Sequence, residues 1–133
     1  MHGLRITGFG VALLVATSHI IHPVGADPAV PVRTGSTGGE NCYGVASVQL
    51  RSDAGRLNLR AGPGAHFPVI GRLGNGQKVS VCGDWRREWV PVVVHAREAP
   101  ADCGLSDMAP GQVYEGPCQS GWVARTFLQV AAG

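Results

Sequence analysis

Cysteine and histidine are the residues in this 133-residue chain best equipped for chemistry, and their spacing limits what that chemistry is. The four cysteines, Cys42, Cys82, Cys103 and Cys118, contain no C-x-x-C knuckle, and no H-x-x-x-H pair accompanies them. A tetrahedral zinc site is therefore not expected, nor any other metal or cofactor. A cysteine nucleophile would need a free thiol beside a base, yet His66 and His95 are isolated in the sequence. Asp84 with Glu88, and Asp102 with Asp107, fall in turn-like segments where solvated surface charge is the ordinary role of a carboxylate. The expectation is a protein that is not an enzyme. An even number of cysteines is the signature of two disulfides in an exported chain. Four cysteines allow three connectivities. A bridge across the 15 residues between Cys103 and Cys118 would steady the poorly patterned stretch between them and leave Cys42 to pair with Cys82, but spacing alone does not choose.

Binding chemistry is better represented. Trp85-Arg86-Arg87 places a large rigid apolar ring next to two forked cations, a composition suited to peptide carboxylates. Phe67, Tyr114 and Tyr43 also fall in or beside loops, where an aromatic ring can serve as a contact surface. The candidate binding residues are thus Phe67, Trp85, Arg86, Arg87 and Tyr114. The formal net charge is +2, and no basic run is longer than Arg86-Arg87, so the electrostatic footprint of a nucleic-acid binder is missing.

The elements that must position these residues begin after a targeting segment. His2 and Arg5 precede an apolar stretch from Gly8 to Ala16, and Val24-Gly25-Ala26 has the form of a signal-peptidase site, giving a signal peptide over 1–26. Thr17, Ser18 and His19 break the apolar run well short of the ~20 residues that span a bilayer, so a retained anchor is not expected. Cys42 is the first cysteine, which leaves no acceptor for lipid near the junction. Residues 27–41, rich in Pro, Gly, Ser and Thr, read as a flexible linker, and 42–133 as one domain.

Within that domain, short apolar runs alternate with turn signals. Strands are expected at 45–50, 57–60, 69–73, 78–83, 89–95 and 121–124. Asn75-Gly76 marks a tight hairpin. Pro91 inside its strand argues for an edge position or a bulge, and for partial exposure of the strand. Ala61-Gly62-Pro63-Gly64 must be a loop, and strand alternation turns Arg60 away from the Leu57 and Leu59 face, where it could hold that loop's carbonyls or meet a ligand carboxylate. Residues 96–120 carry no clear pattern and read as an insertion.

The run Leu57-Asn58-Leu59-Arg60-Ala61-Gly62-Pro63-Gly64, followed by Val69-Ile70-Gly71-Arg72-Leu73, Gly76, Val79 to Cys82, Trp89-Val90 and Gly121-Trp122-Val123, resembles the bacterial SH3-like (SH3b) family from about Val45 to Leu128. The resemblance implies an all-β fold: a small SH3-like antiparallel barrel of five or more short strands, here with a long disulfide-bearing insertion between Trp89 and Gly121, where the family has a brief turn. It also implies that Trp89 and Trp122 pack the barrel. Domains of this family are non-catalytic attachments that bind cell-wall peptides or other proteins. The expectation is therefore a periplasmic or secreted monomer that recognises cell-wall peptide or peptidoglycan, or alternatively docks on another exported protein, without nucleic acid, cofactor or, once processed, membrane.

Overall fold

In the computed structural model, residues 3, 8, 10–18, 27–35, 42–97 and 103–130 are described. The expected cleavage motif Val24-Gly25-Ala26, residues 36–41, the Tyr43 side chain and Asp102 lie outside them. No helix among the described residues is long and apolar enough to cross a membrane.

Seven strands form one antiparallel sheet. They are β1 (Cys42–Val48), β2 (Arg56–Arg60), β3 (Val69–Gly74), β4 (Lys78–Cys82), β5 (Trp89–Val94), β6 (Ser120–Ala124) and β7 (Leu128–Val130), and a 3-10 turn at Arg125–Phe127 separates the last two. Their order across the sheet is β3-β2-β6-β5-β4-β1-β7. Period-two patterning builds it: Leu57 and Leu59 of β2 and Val79 and Val81 of β4 point inward, as do Val90, Val92 and Val94 of β5. They meet Leu73 of β3, Ala46 and Val48 of β1 and Val123 of β6 in a single cluster, with Leu128 of β7 packed against it. Strands from both ends of the sheet share that core, so the sheet curls round on itself as a small barrel. β3 and β4 are joined by the expected Asn75-Gly76 turn, in which Gln77 N donates to Gly74 O at 3.2 Å and Gly76 has φ 80°. Asn75 Oδ1 also accepts from Leu50 N at 2.8 Å, tying the turn to the end of β1.

A second, smaller core lies on the outer face of β4 and β5. It gathers Val32, Cys82, Val93, Cys103 and Tyr114, with Cys42, Leu105, Met108 and Cys118 against it. Both disulfides belong here. Cys42 stands opposite Cys82 in the β1–β4 register and is bonded to it, and Cys103 is bonded to Cys118. The insertion is thus a cover for the sheet, pinned at both ends.

Four expectations are corrected. Pro91 is not at an edge: β5 lies between β4 and β6 and is buried from Val90 to Val94. His95 N donates to Lys78 O and Val94 N to Gln119 O, so by alternation the nitrogen of Pro91 faces β4. The ladder to β4 ends at the Val81–Val92 pair, one residue short of needing it. Residues 27–35 are not a free linker but an extended strap. Val30 N donates to Ala61 O, Tyr114 N to Val32 O and Thr34 N to Gln112 O, and Val32 and Thr34 are each only 3% exposed. β7 was not anticipated at all; it follows the 3-10 turn and pairs with β1 from Val48–Leu128 to Ala46–Val130. Finally, Phe67 and Tyr114, expected as exposed binding residues, are buried, for reasons given below.

Candidate functional site

The loop between β2 and β3 is organised by Phe67. Its ring lies where a Cβ on Gly62 would be, so only glycine permits this approach. Ala61 N donates to Pro68 O at 2.9 Å and Arg60 Nη1 to Phe67 O at 3.0 Å, closing the loop from both sides. Arg60 therefore holds the loop's backbone, as its strand position implied. Phe67 is buried as the anchor of this loop. His66 remains outside, its ring 4.4 Å from that of Phe67 and its Nε2 2.9 Å from Asp27 Oδ2 of the strap.

The β4–β5 connection is a tight hairpin. Arg86 N donates to Trp89 O at 2.9 Å and Trp89 N to Arg86 O at 3.0 Å, which leaves Arg87 and Glu88 at the tip. Arg87 has φ 57° and is the only positive-φ residue other than glycine among the described residues. A side chain held in that region is strained, and strain of this kind gathers where function needs a side chain presented. Arg125 N donates to Glu88 O at 2.7 Å, so the start of the 3-10 turn braces the tip. The Arg125 guanidinium sits 5.6 Å from the centroid of the Trp85 ring, a cation–π contact on the surface, and Trp85 itself is 44% exposed.

Between the loop and the hairpin lies a cleft of about 860 Å³ lined by residues 63–66 and 86–89. Its polar side chains are Arg86, Arg87, Glu88 and His66, and its apolar wall is Pro63, Ala65 and Trp89. Two guanidinium forks near one indole can hold a carboxylate and pack the chain that carries it. Of the residues expected to bind, the structure brings Arg86 and Arg87 into this cleft and sets Trp85 just outside it. Tyr114 is elsewhere and structural: its hydroxyl donates to Cys103 O at 2.7 Å and accepts from Cys118 N at 3.0 Å, so it braces the second disulfide. Neither tryptophan fills the barrel core as the family resemblance implied: Val123 takes the inward position of β6, so Trp122, 3% exposed, is buried on the outer face against the strap, and Trp89 is only half-buried and lines the cleft. Sequence reasoning missed Trp89 and His66 as lining residues. The one signal for Trp89 was its place at the start of a strand beside a turn, where a ring has one covered face and one open.

No serine, threonine or cysteine lines this cleft. Ser80 Oγ and His95 Nε2 lie 2.6 Å apart outside it, but Ser80 is buried and no carboxylate among the described residues contacts His95. Burial, and then the nearby Lys78 charge, push the His95 imidazole below its ordinary pKa. No group of His, Cys, Asp or Glu among the described residues is arranged to hold a metal ion.

The bacterial SH3 domain family model matches residues 55–129, more than half of the chain, and the chain belongs to that family. No curated protein and no solved structure matches it significantly. The family is one of binding domains, commonly related to the cell wall, and two disulfides together with this membership fit an extracytoplasmic protein.

Proposed function

We propose that this protein is an extracytoplasmic, non-catalytic module that binds the peptide part of the bacterial cell wall through the cleft between the β2–β3 loop and the β4–β5 hairpin. The observation that carries the reading is the hairpin tip, where Arg87 is held at φ 57° beside Arg86, with Trp89 and His66 on the same cleft. Wall peptides are short, carry free carboxylates and offer little apolar bulk. A half-open basic cleft with one indole wall suits such a ligand better than a deep apolar pocket would.

Co-sedimentation with isolated sacculi tests the reading. The purified protein should pellet with the wall in the absence of any other protein, and Arg86→Gln with Arg87→Gln should weaken retention by at least about tenfold, the loss expected when charge-assisted hydrogen bonds worth roughly 1.4 kcal/mol or more are removed. Parent protein that stays in the supernatant would contradict it.

A second reading, docking on another exported protein, draws on β3. This strand closes one end of the sheet, and its Val69 and Ile70 are 41% and 45% exposed, a surface on which an extended segment of a partner could pair. Retention by a protein and not by bare sacculi would favour it.

A further inference from the structure

Trp89 lines two depressions, not one. Besides the cleft with residues 63–66 and 86–88, it borders a second groove of about 280 Å³ whose other walls include Leu50, Arg56, Asn58, Arg60, Ala124 and Phe127. The groove has a topological origin. β2 meets β6 through the single pair Arg60–Trp122, and the space opens where the strands part, between Asn58 on one side and Ala124 on the other. Phe127, on the 3-10 turn that leads into β7, is 40% exposed at its rim.

The chemistry of this groove repeats that of the cleft. Arg56 Nη1 donates to the carbonyls of Asp53, Ala54 and Gly55 at 3.4, 3.4 and 2.8 Å, and Arg60 Nη1 to that of Phe67 at 3.0 Å. Each guanidinium is therefore fixed in place through one nitrogen, while its Nε and Nη2 have no hydrogen-bond partner among the described residues. Pre-oriented forks with spare donors are what carboxylate recognition requires, because little side-chain freedom is left to lose on binding. Leu50 and Phe127 add an apolar side like that which Trp89 gives the cleft.

We infer that the cleft and the groove are two subsites of one elongated site joined at Trp89, and that the ligand is an extended peptide with two carboxylates, one reaching Arg86 and Arg87 and the other reaching Arg56 and Arg60, with its intervening backbone or apolar side chain on Trp89. This rests on the reading of the cleft as a wall-peptide site and deepens it. A ligand that filled the cleft alone would need only one anionic end. A ligand that fills both must be several residues long and acidic at two separated points, which a wall stem peptide provides through its glutamate and its C-terminus.

Calorimetric titration of the full chain with the synthetic stem tetrapeptide L-Ala-γ-D-Glu-L-Lys-D-Ala, and with the same peptide amidated at one or the other carboxylate, tests the inference. The tetrapeptide should bind, and amidating either carboxylate should weaken it by about tenfold. Arg87→Gln and Arg56→Gln should each weaken the free tetrapeptide similarly, and each should lose its effect on the one amidated peptide that no longer presents a partner to it. Phe127→Ala, which leaves the arginines and their backbone contacts alone, should also weaken the tetrapeptide by several-fold, so the second subsite is tested even if Arg56→Gln perturbs its loop. If Arg87→Gln weakens binding while Arg56→Gln and Phe127→Ala leave it within twofold of the parent, the two-subsite inference is overturned and the cleft stands alone. If no form of the peptide binds the parent, the wall-peptide reading falls with it. An all-L acidic peptide that binds as well as the stem peptide assigns the same two-carboxylate site to a protein segment, and overturns the assignment to the wall.

Discussion

Trp122 Nε1 donates to Val30 O at 2.8 Å, across 92 residues of sequence. That bond fastens the extended segment of residues 27–35 to β6 at the level where Trp122 also pairs with Pro91 and Arg60. The same segment reaches the insertion through the Arg33–Val113 bridge and through Thr34 Oγ1, which donates to Ala109 O at 2.7 Å. Gly83, at φ 68°, lets the chain pass directly against the Arg33 carbonyl, where a Cβ would collide with it. The strap is therefore part of the folded unit.

Trp122→Phe should keep an aromatic ring but lose the donor and part of the buried indole, leaving the Val30 carbonyl without its partner, and should destabilise by about 1–3 kcal/mol. Trp122→Ala adds a cavity and should cost about 3–5 kcal/mol. Trp85→Ala, at an exposed ring, should leave stability nearly unchanged. Denaturant midpoints of the three variants check this ranking. A Trp122→Phe protein as stable as the parent would mean the strap hardly depends on that bond.

Both disulfides should be complete in protein taken from its native compartment, so a thiol reagent applied under denaturing conditions should find no reactive group. Replacing the Cys103–Cys118 pair, which spans 15 residues, should destabilise by about 3 kcal/mol. Replacing the Cys42–Cys82 pair, which spans 40, should cost about 4 kcal/mol on the same chain-entropy argument. The outer core is thin, so loss of the Cys103–Cys118 bridge should loosen the insertion before the barrel, visible as selective loss of amide protection over residues 103–118.

The lowered pKa of His95 gives stability a pH dependence of definite sign. Burial first, and Lys78 second, favour the neutral imidazole in the folded state, so the unfolded chain takes up the proton at a higher pH than the native one does. The contribution is present above the ordinary value of 6.5 and is lost as the pH falls from there through the lowered folded value. His95→Gln should show a shallower decline in denaturant midpoint between about pH 7.5 and pH 5.5 than the parent. Equal slopes would rule out His95 as a source of the effect.

Arg87→Gly should relax the hairpin tip, since glycine adopts φ 57° freely, and should leave stability unchanged or raise it by up to about 1 kcal/mol. The same change should weaken wall retention. That opposition separates a presented binding residue from an ordinary turn residue; a variant that lost both stability and retention would show Arg87 to be structural.

The barrel was legible because its signals are local. Alternation at Leu57 and Leu59, the Asn75-Gly76 turn and the glycines of the β2–β3 loop each act over a few residues, and the family pattern strings them together. What escaped depends on partners far along the chain. Val30, Val32 and Thr34 alternate over too short a stretch to stand out among prolines and glycines, and Val32 and Thr34 are buried, and Val30 half-buried, only because they meet Trp122 and the insertion. Phe67 and Tyr114 carry no local signal of burial, because it is their own loops that fold back over them, at Gly62 and at the Cys103–Cys118 bridge. Pro91 misled because its missing donor falls one residue beyond the β4 ladder, a matter of register that composition does not reveal. At the site, Arg86 and Arg87 are legible from composition, whereas Trp89 depends on the adjacency of two loops about twenty residues apart in sequence.

The central claim, that the cleft between the β2–β3 loop and the β4–β5 hairpin binds wall peptide, is tested most directly by titrating the isotope-labelled protein with soluble muropeptides and following its amide resonances. The account predicts saturable shifts at residues 64–66 and 86–89, joined by shifts at 56–60 and 124–127 where the second groove is filled as well, with the insertion at 103–118 unmoved. Shifts confined to the insertion or to β3, or a spectrum that does not change, would contradict it.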